Sequence, residues 1–352
     1  MTKHIAVDAM GGEGGALLTV PAALRALQSS NDLHLTLVGD RQQIEPLLAS
    51  ARSAETGARV EVLHTDSVVS DEDLPRNVLR SGRDSSMFSA VELVQRGEVQ
   101  AMVSAGNTGA LLMIGRHLLK TIEGIHKPAI VATIPGTTQQ TYLLDVGANP
   151  EVDAQHLFEF AVMGSVLASS LTGKGAKVGL LNIGAEHFKG TDEVRKAAEM
   201  LERCKDLDFI GFVEANALFE GSADVVVCDG FVGNVTIKTS AGVANVLRKF
   251  LAEELEHSLV TRLAGQFPSS MFNRLAQRID PQRFNGASLL GLQGSIVKSH
   301  GNANQEGFFR AIQQAEREIE HDVPRLIAKK VAAIMADCPA ANEPHAPQFV
   351  QQ

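Results

Sequence analysis

HIAVDAMGG, running from His4 to Gly12, is a short apolar stretch that closes on an aspartate and two glycines. A continuous run of this kind suits a strand buried on both faces, as in parallel sheets. The next segment, Ala16 to Ser29, has helical period, so the unit reads strand, tight polar loop, helix. The same grammar returns in LTLVGD from Leu35, AMVSAGNTG from Ala101, TYLLDVGAN from Thr141 and VGLLNIG from Val178. It continues in DFIGFVEAN from Asp208, ADVVVCDGFVGN from Ala223 and SIVKSHG from Ser295. Helical period marks Ser85 to Arg96, Thr108 to Lys120, Asp153 to Leu171, Thr191 to Cys204 and Asn302 to His321. Strands alternating with helices predict a Rossmann-like, doubly wound α/β/α sandwich. In such sheets ligands bind at the carboxyl ends of the strands, where these loops fall, so the anion-holding loops are expected along one sheet edge.

The alternation breaks from Val235 to Gln282, which carries helical patterns and no strand signal. A projecting helical hairpin is expected over about 235–282, with arms from Val235 to about Leu263 and from Ser269 to Ile279. Residues 1–338 are read as one large α/β/α domain bearing this excursion, and the Pro-, Ala- and Gln-rich 339–352 as a frayed tail. Between Ser258 and Arg283, Arg262, Arg274, Arg278 and Arg283 face the single acid Asp280, a local net of +3. Phe267 and other apolar side chains share that stretch. A basic amphipathic element suits an anionic membrane surface or an acidic protein partner; a plain packing or dimerisation arm fits the spacing equally.

Composition removes several classes of function. The 352 residues hold 32 Lys and Arg against 41 Asp and Glu, a formal net of −9, which disfavours nucleic acid. With 15 Phe, one Tyr and no Trp there is little for base or sugar stacking. The N-terminus reads as lacking a signal peptide, and no ~20-residue apolar span appears. Cys204, Cys228 and Cys338 are widely separated, so neither a disulfide framework nor a zinc site is expected, and Cys228 reads as a buried strand residue. No metal motif is visible, and no cofactor is expected: the loop after Asp8 is not G-x-G-x-x-G, and no P-loop is present.

The loops themselves point to an anion. Asp8, Gly11 and Gly12 sit where glycine lets backbone N–H groups approach a charge at a helix start. Ser104, Gly106, Asn107 and Thr108 offer hydroxyl, amide and helix N-terminal donors, although Asn107 or Thr108 also makes an ordinary N-cap. Asn234 is placed as the cap of the helix after DGFVG, with Lys238 one turn on. Lys298, Ser299 and His300 bring a cation, a hydroxyl and a titratable ring to one strand end. The residues alone therefore describe an α/β enzyme for a phosphate-sized or phosphate-bearing ligand.

As a set these loops resemble those of the PlsX-type phosphate acyltransferases. The resemblance rests on AVDAMGG from Ala6, SAGNTGALL from Ser104, LDVGAN from Leu144, GLLNIGAE from Gly179, ADVVVCDGFVGNVTIKTS from Ala223 and NGASLLGLQGSIVKSHGNA from Asn285, in family order. Glu13, where Asp is usual, and Ala241, where Glu is common, depart from the pattern. The resemblance implies transfer of a fatty acyl group from acyl carrier protein to inorganic phosphate, at the entry to phosphatidic acid synthesis. It implies a homodimer of the fold shared by phosphate acetyltransferases and isocitrate-dehydrogenase-like enzymes. A cytoplasmic, peripherally membrane-associated protein is implied too, delivering product to a membrane glycerol-3-phosphate acyltransferase. On that reading Lys298 and the helix start at Asn107-Thr108 hold phosphate, Lys238 and Asn234 assist, and His300 orients phosphate or protonates the leaving thiolate. Three rivals stay open: a decarboxylating-dehydrogenase-like enzyme needing nicotinamide and a divalent metal, a catalytically silent membrane adaptor, and a short-chain acyl-CoA:phosphate transferase.

Overall fold

The computed structural model describes residues 2–51, 54–257 and 280–337. The chain enters through β1 (Lys3–Asp8), α1 (Gly15–Ser29), β2 (Leu33–Gly39), α2 (Arg41–Ala51) and β3 (Val60–His64). Then come α3 (Pro75–Ser81), α4 (Ser86–Gln95), β4 (Ala101–Ser104) and α5 (Thr108–Leu118). A hairpin of β5 (Ala129–Ile134) and β6 (Thr141–Leu144) leads to α6 (Ala154–Thr172), β7 (Lys177–Leu181), α7 (Asp192–Arg203) and β8 (Asp208–Val213). The chain continues through β9 (Val225–Val227) and α8 (Gly230–His257), then β10 (Ala287–Leu290), β11 (Ser295–Lys298), α9 (Gln305–His321) and α10 (Val323–Asp337).

The helix starts follow from single polar side chains. Ser85 accepts from the Phe88 N–H, Asp153 from that of His156, Thr191 from that of Val194 and Asn304 from that of Gly307. Each supplies an acceptor that a helix N-terminus otherwise lacks.

All the described strands join one 11-stranded sheet in the order β3-β2-β1-β4-β11-β10-β5-β6-β9-β7-β8. Alternate side chains serve opposite faces. Ile5, Val7, Val103 and Val297 pack with α1 and α9 through Val20, Leu24, Phe308 and Ile312. Ala6, Met102 and Ile296 pack on the other face with α4 and α5 through Met87, Val91, Leu111 and Ile114. Burial of this kind contributes roughly 1.5–3 kcal/mol per large apolar side chain and explains why the strands read as unbroken apolar runs. The doubly wound α/β/α class is as the sequence predicts.

Strand direction corrects one expectation. β3, β2, β1, β4 and β11 are mutually parallel, and so are β6, β9, β7 and β8. Between these blocks the pairs β11–β10, β10–β5 and β5–β6 are all antiparallel. An odd number of reversals sets the two blocks in opposite directions. The strand-end loops therefore do not share one edge: those after β1, β4 and β11 lie at one, those after β6, β7, β8 and β9 at the other.

α8 connects the two. It starts at the far edge, where Asp229 caps it by accepting from the Val232 N–H at 2.8 Å. The expected cap, Asn234, instead lies in the second turn, because the helix begins at Gly230. α8 then packs against β5 and β6, and Arg248 pairs with Asp280 at 2.8 Å. The first arm of the expected hairpin is thus a helix from Gly230 to His257. Its second arm, with Arg262, Phe267, Arg274 and Arg278, lies outside the described residues, as does the tail 339–352. No described helix is long and apolar enough to cross a membrane.

Candidate active site

The loops after β1, β4 and β11 interlock. The Glu13 N–H donates to the Gly301 carbonyl at 2.9 Å, and the Ser299 N–H to the Ser104 carbonyl at 2.8 Å. Gly12 has a φ of +81°, and a Cβ there would stand 2.8 Å from the Ala105 Cβ and 2.9 Å from the Gly301 oxygen. Glycine at this position is demanded by close approach of three backbones, besides any ligand.

Beneath the loops lies Asp8, with 1% of its surface exposed. Its Oδ1 accepts from Ser86 Oγ and its Oδ2 from Ser104 Oγ, both at 2.6 Å. Ser104 Oγ in turn accepts from the Gly106 N–H at 3.0 Å. Burial pushes the Asp8 carboxyl above its usual range, against the pull of these hydrogen bonds. Asp8 and Ser104 are therefore the framework on which the β4 loop is set, and Gly11 lies against both.

Lys298, at the end of β11, carries the cation. Its Nζ donates to the Ala105 carbonyl at 3.1 Å and also to the Ser299 carbonyl. An ammonium has three donors, so one remains for a ligand. Desolvation lowers its pKa from 10.5 to about 8, opposed by the charges of Asp71 and Asp8. His300 follows two residues on. Its backbone N–H donates to Asn285 Oδ1 at 3.0 Å, and Asn285 Nδ2 donates to Ser299 Oγ at 2.8 Å. His300 is exposed at this strand-end edge, hereafter the cleft. Its pKa is lowered by desolvation and by the positive charges of Lys298 and Lys238, so the imidazole is neutral at pH 7. That influence places Lys238 at this edge, carried there by two turns of α8.

The N-terminus of α5 opens onto the same place. Asn107 is spent on structure: Oδ1 accepts from the Ala110 N–H at 3.1 Å, and Nδ2 is shared among the carbonyls of Ser70, Asp71 and Asp73 at 3.2–3.3 Å. The amides at Thr108 and Gly109, in the first turn, lack intrahelical acceptors and favour negative charge. The edge therefore assembles a buried ammonium, a helix N-terminus and a neutral imidazole, a set suited to holding and activating a small anion.

A family model described as "fatty acid synthesis protein" matches residues 3–326. The chain belongs to that family. Among its relatives, a phosphate acyltransferase of Halorhodospira halophila is 45% identical over 338 residues, covering 95% of this chain and 98% of the relative. Among solved structures, a phosphotransacetylase from Streptococcus pyogenes has a TM-score of 0.59 at 17% identity, with 95% of this chain and 94% of that one covered. A 4-hydroxythreonine-4-phosphate dehydrogenase from Salmonella typhimurium has a TM-score of 0.52 at 15% identity, covering 90% of this chain and 99% of that one. Those two likenesses concern the fold, which hosts more than one chemistry.

Not every sequence signal of this fatty acid synthesis family member converges on the cleft. Asn234 sits beside Gly147 at the far edge, with the LDVGAN loop. There Asp145 accepts from the N–H groups of Ile130, Gly147, Ala148 and Asn149 at 2.7–3.1 Å, and a Cβ on Gly233 would stand 1.8 Å from the Asp145 oxygen. These motifs lock the start of α8 onto β6. Cys228 is buried, and its thiol is pushed well up by desolvation, which leaves it a poor nucleophile. Ser86, Asp71 and Asn285 reach the cleft unannounced by any strand-end loop of the β1, β4 or β11 type. For Asn285 the turn at Asn285-Gly286 was a usable signal; for Ser86 there was none.

Proposed function

We propose that the protein transfers a long-chain fatty acyl group from the thioester of acyl carrier protein to inorganic phosphate, yielding acyl phosphate for phosphatidic acid synthesis. The observation that carries this reading is the meeting of Lys298, His300 and the α5 N-terminus at one edge, in a family whose relatives are named for phosphate acyl transfer. Lys298 and the amides of Thr108 and Gly109 hold phosphate, and Lys238 adds positive charge. A phosphate oxygen attacks the thioester carbonyl carbon, the C–O bond forms, and the C–S bond breaks as the tetrahedral intermediate collapses. Neutral His300 orients phosphate and takes up a proton from its monoanionic form; the departing thiolate is protonated from water. Positioning and charge stabilisation do most of the work, because phosphate near neutrality is already partly dianionic.

In this reading the enzyme is a cytoplasmic homodimer with peripheral membrane contact through the basic stretch holding Arg262, Phe267, Arg274 and Arg278. Its product passes to a membrane glycerol-3-phosphate acyltransferase. The test is incubation with labelled phosphate and palmitoyl-acyl carrier protein, trapping acyl phosphate with hydroxylamine. Labelled product that fades with short acyl-CoA donors supports the reading. No product from any acyl donor, with folding verified, removes it.

A further inference from the structure

A cavity of about 900 Å³ opens on the outer side of the second strand block, between α6, α10 and the turn before β8. None of its lining residues belongs to the loops of the cleft. Its floor is apolar: Ala176 and Leu207 belong to one hydrophobic core cluster, Val166 packs against it, and Leu326 lines the cavity beside them. Leu326 keeps 39% of its surface exposed and adds an apolar side chain to the cavity wall. Along one wall, Ser165 and Ser169 of α6 line the cavity with side chains that can donate or accept. Ser165 is only 8% exposed.

Charge supplies the rest. Lys205, Lys329 and Lys330 rim the cavity against Asp206 and Asp208. Only Lys330 has a carboxylate near it among the described residues, Asp206 at 3.8 Å. The site therefore combines a greasy floor, hydroxyl groups and a rim of three lysines against two aspartates. Its volume lies in the range of small-molecule sites.

We propose that this cavity binds a free single-chain amphipathic anion, its alkyl chain on Leu207 and Leu326 and its phosphate or carboxylate head on Lys205, Lys329 and Ser169. The site is separate from the cleft and gives the enzyme a place to sense the chemical class of compound it is proposed to handle.

The test is calorimetric titration of the full chain with dodecyl phosphate below its micelle threshold. One site per chain is expected, weakened tenfold or more in Leu326→Asp and in Lys329→Glu and retained in Lys298→Met. Both altered side chains are exposed, and Ser165→Val offers a third variant should either misfold. Binding lost in Lys298→Met but kept in Leu326→Asp places the amphiphile in the cleft and overturns the proposal. Equal binding of uncharged dodecyl maltoside overturns it, as does binding to phosphatidic acid vesicles with none to the free amphiphile. No binding at all does the same.

Discussion

Lys298 Nζ lies 3.1 Å from the carbonyl oxygen of Ala105, so the cation at one strand end is anchored on the backbone of the neighbouring strand end. The parallel pairing of β11 with β4, Lys298 opposite Ser104, fixes that contact before any ligand arrives. The ammonium is held where the first turn of α5 opens, and the geometry needs little reorganisation to receive an anion.

Replacing this lysine is therefore expected to strike phosphate binding first. Lys298→Met should raise the KM for phosphate by roughly 10- to 100-fold, as for loss of a charge-assisted hydrogen bond. In the native enzyme the same KM should climb as pH passes through about 8, where the ammonium deprotonates. Steady-state kinetics across pH 6.5–9.5 measure both.

In the proposed mechanism His300 acts in its neutral form, since desolvation and two lysines hold its pKa below the ordinary 6.5. Turnover should then be flat from neutrality upward on this account and decline only on the acid side. His300→Ala should lower kcat by roughly 10²-fold or more. An unchanged kcat in a folded variant would take the ring out of the chemistry.

Gly12 is a stability position as much as a site position. With φ at +81° and a neighbour 2.8 Å from any added Cβ, Gly12→Ala should cost roughly 1–3 kcal/mol. Urea denaturation monitored by circular dichroism reads that loss, and the midpoint should fall without a change of slope.

Glu318 supplies a pH signature of a different kind. Fully buried and hydrogen-bonded to Ser288, Ser295 and Gln314, its carboxyl is raised by desolvation from 4.5 to about 7. The folded state thus holds a proton that the unfolded state releases earlier, so stability falls as pH rises from about 4.5 to 7 and levels off above. Glu318→Gln should abolish that decline and be the more stable protein at pH 8, by an amount on the order of a few kcal/mol. Thermal melts at pH 5 and pH 8 compare the two.

For the basic stretch, changing Arg262, Arg274 and Arg278 together to Glu should weaken sedimentation with anionic liposomes several-fold, or binding to acyl carrier protein. Retention of both leaves the arm a packing element.

Most of the parallel strands were legible because each is an apolar run followed by a polar loop and a helix; the edge strand β3, VEVLH, largely exposed and short of apolar residues, escaped that reading. β5 and β10 were not. AIVATI and ASLL are joined to β6 and β11 by short hairpin connections with no crossover helix, so the alternation that reveals a parallel strand is missing. Because those two strands reverse the sheet, the sequence put all loops on one edge and assigned Asn234 to the anion. Lys298 and His300 were readable as a pair within four residues. Ser86 was not, because nothing local to a serine tells which strand end it will meet.

The order of strands also constrains how the chain assembles. β11, at the middle of the sheet, comes from residues 295–298, yet it separates β4 from everything formed by 129–227. During synthesis the two parallel blocks can each pair as they emerge, but the strands that sew them together are incomplete until nearly the whole chain has left the ribosome. Contacts of such long sequence separation are slow to close. Lys298 sits on the last strand to arrive, so its contact with the β4 loop comes into being only as folding finishes, and no shorter nascent chain carries that edge assembled.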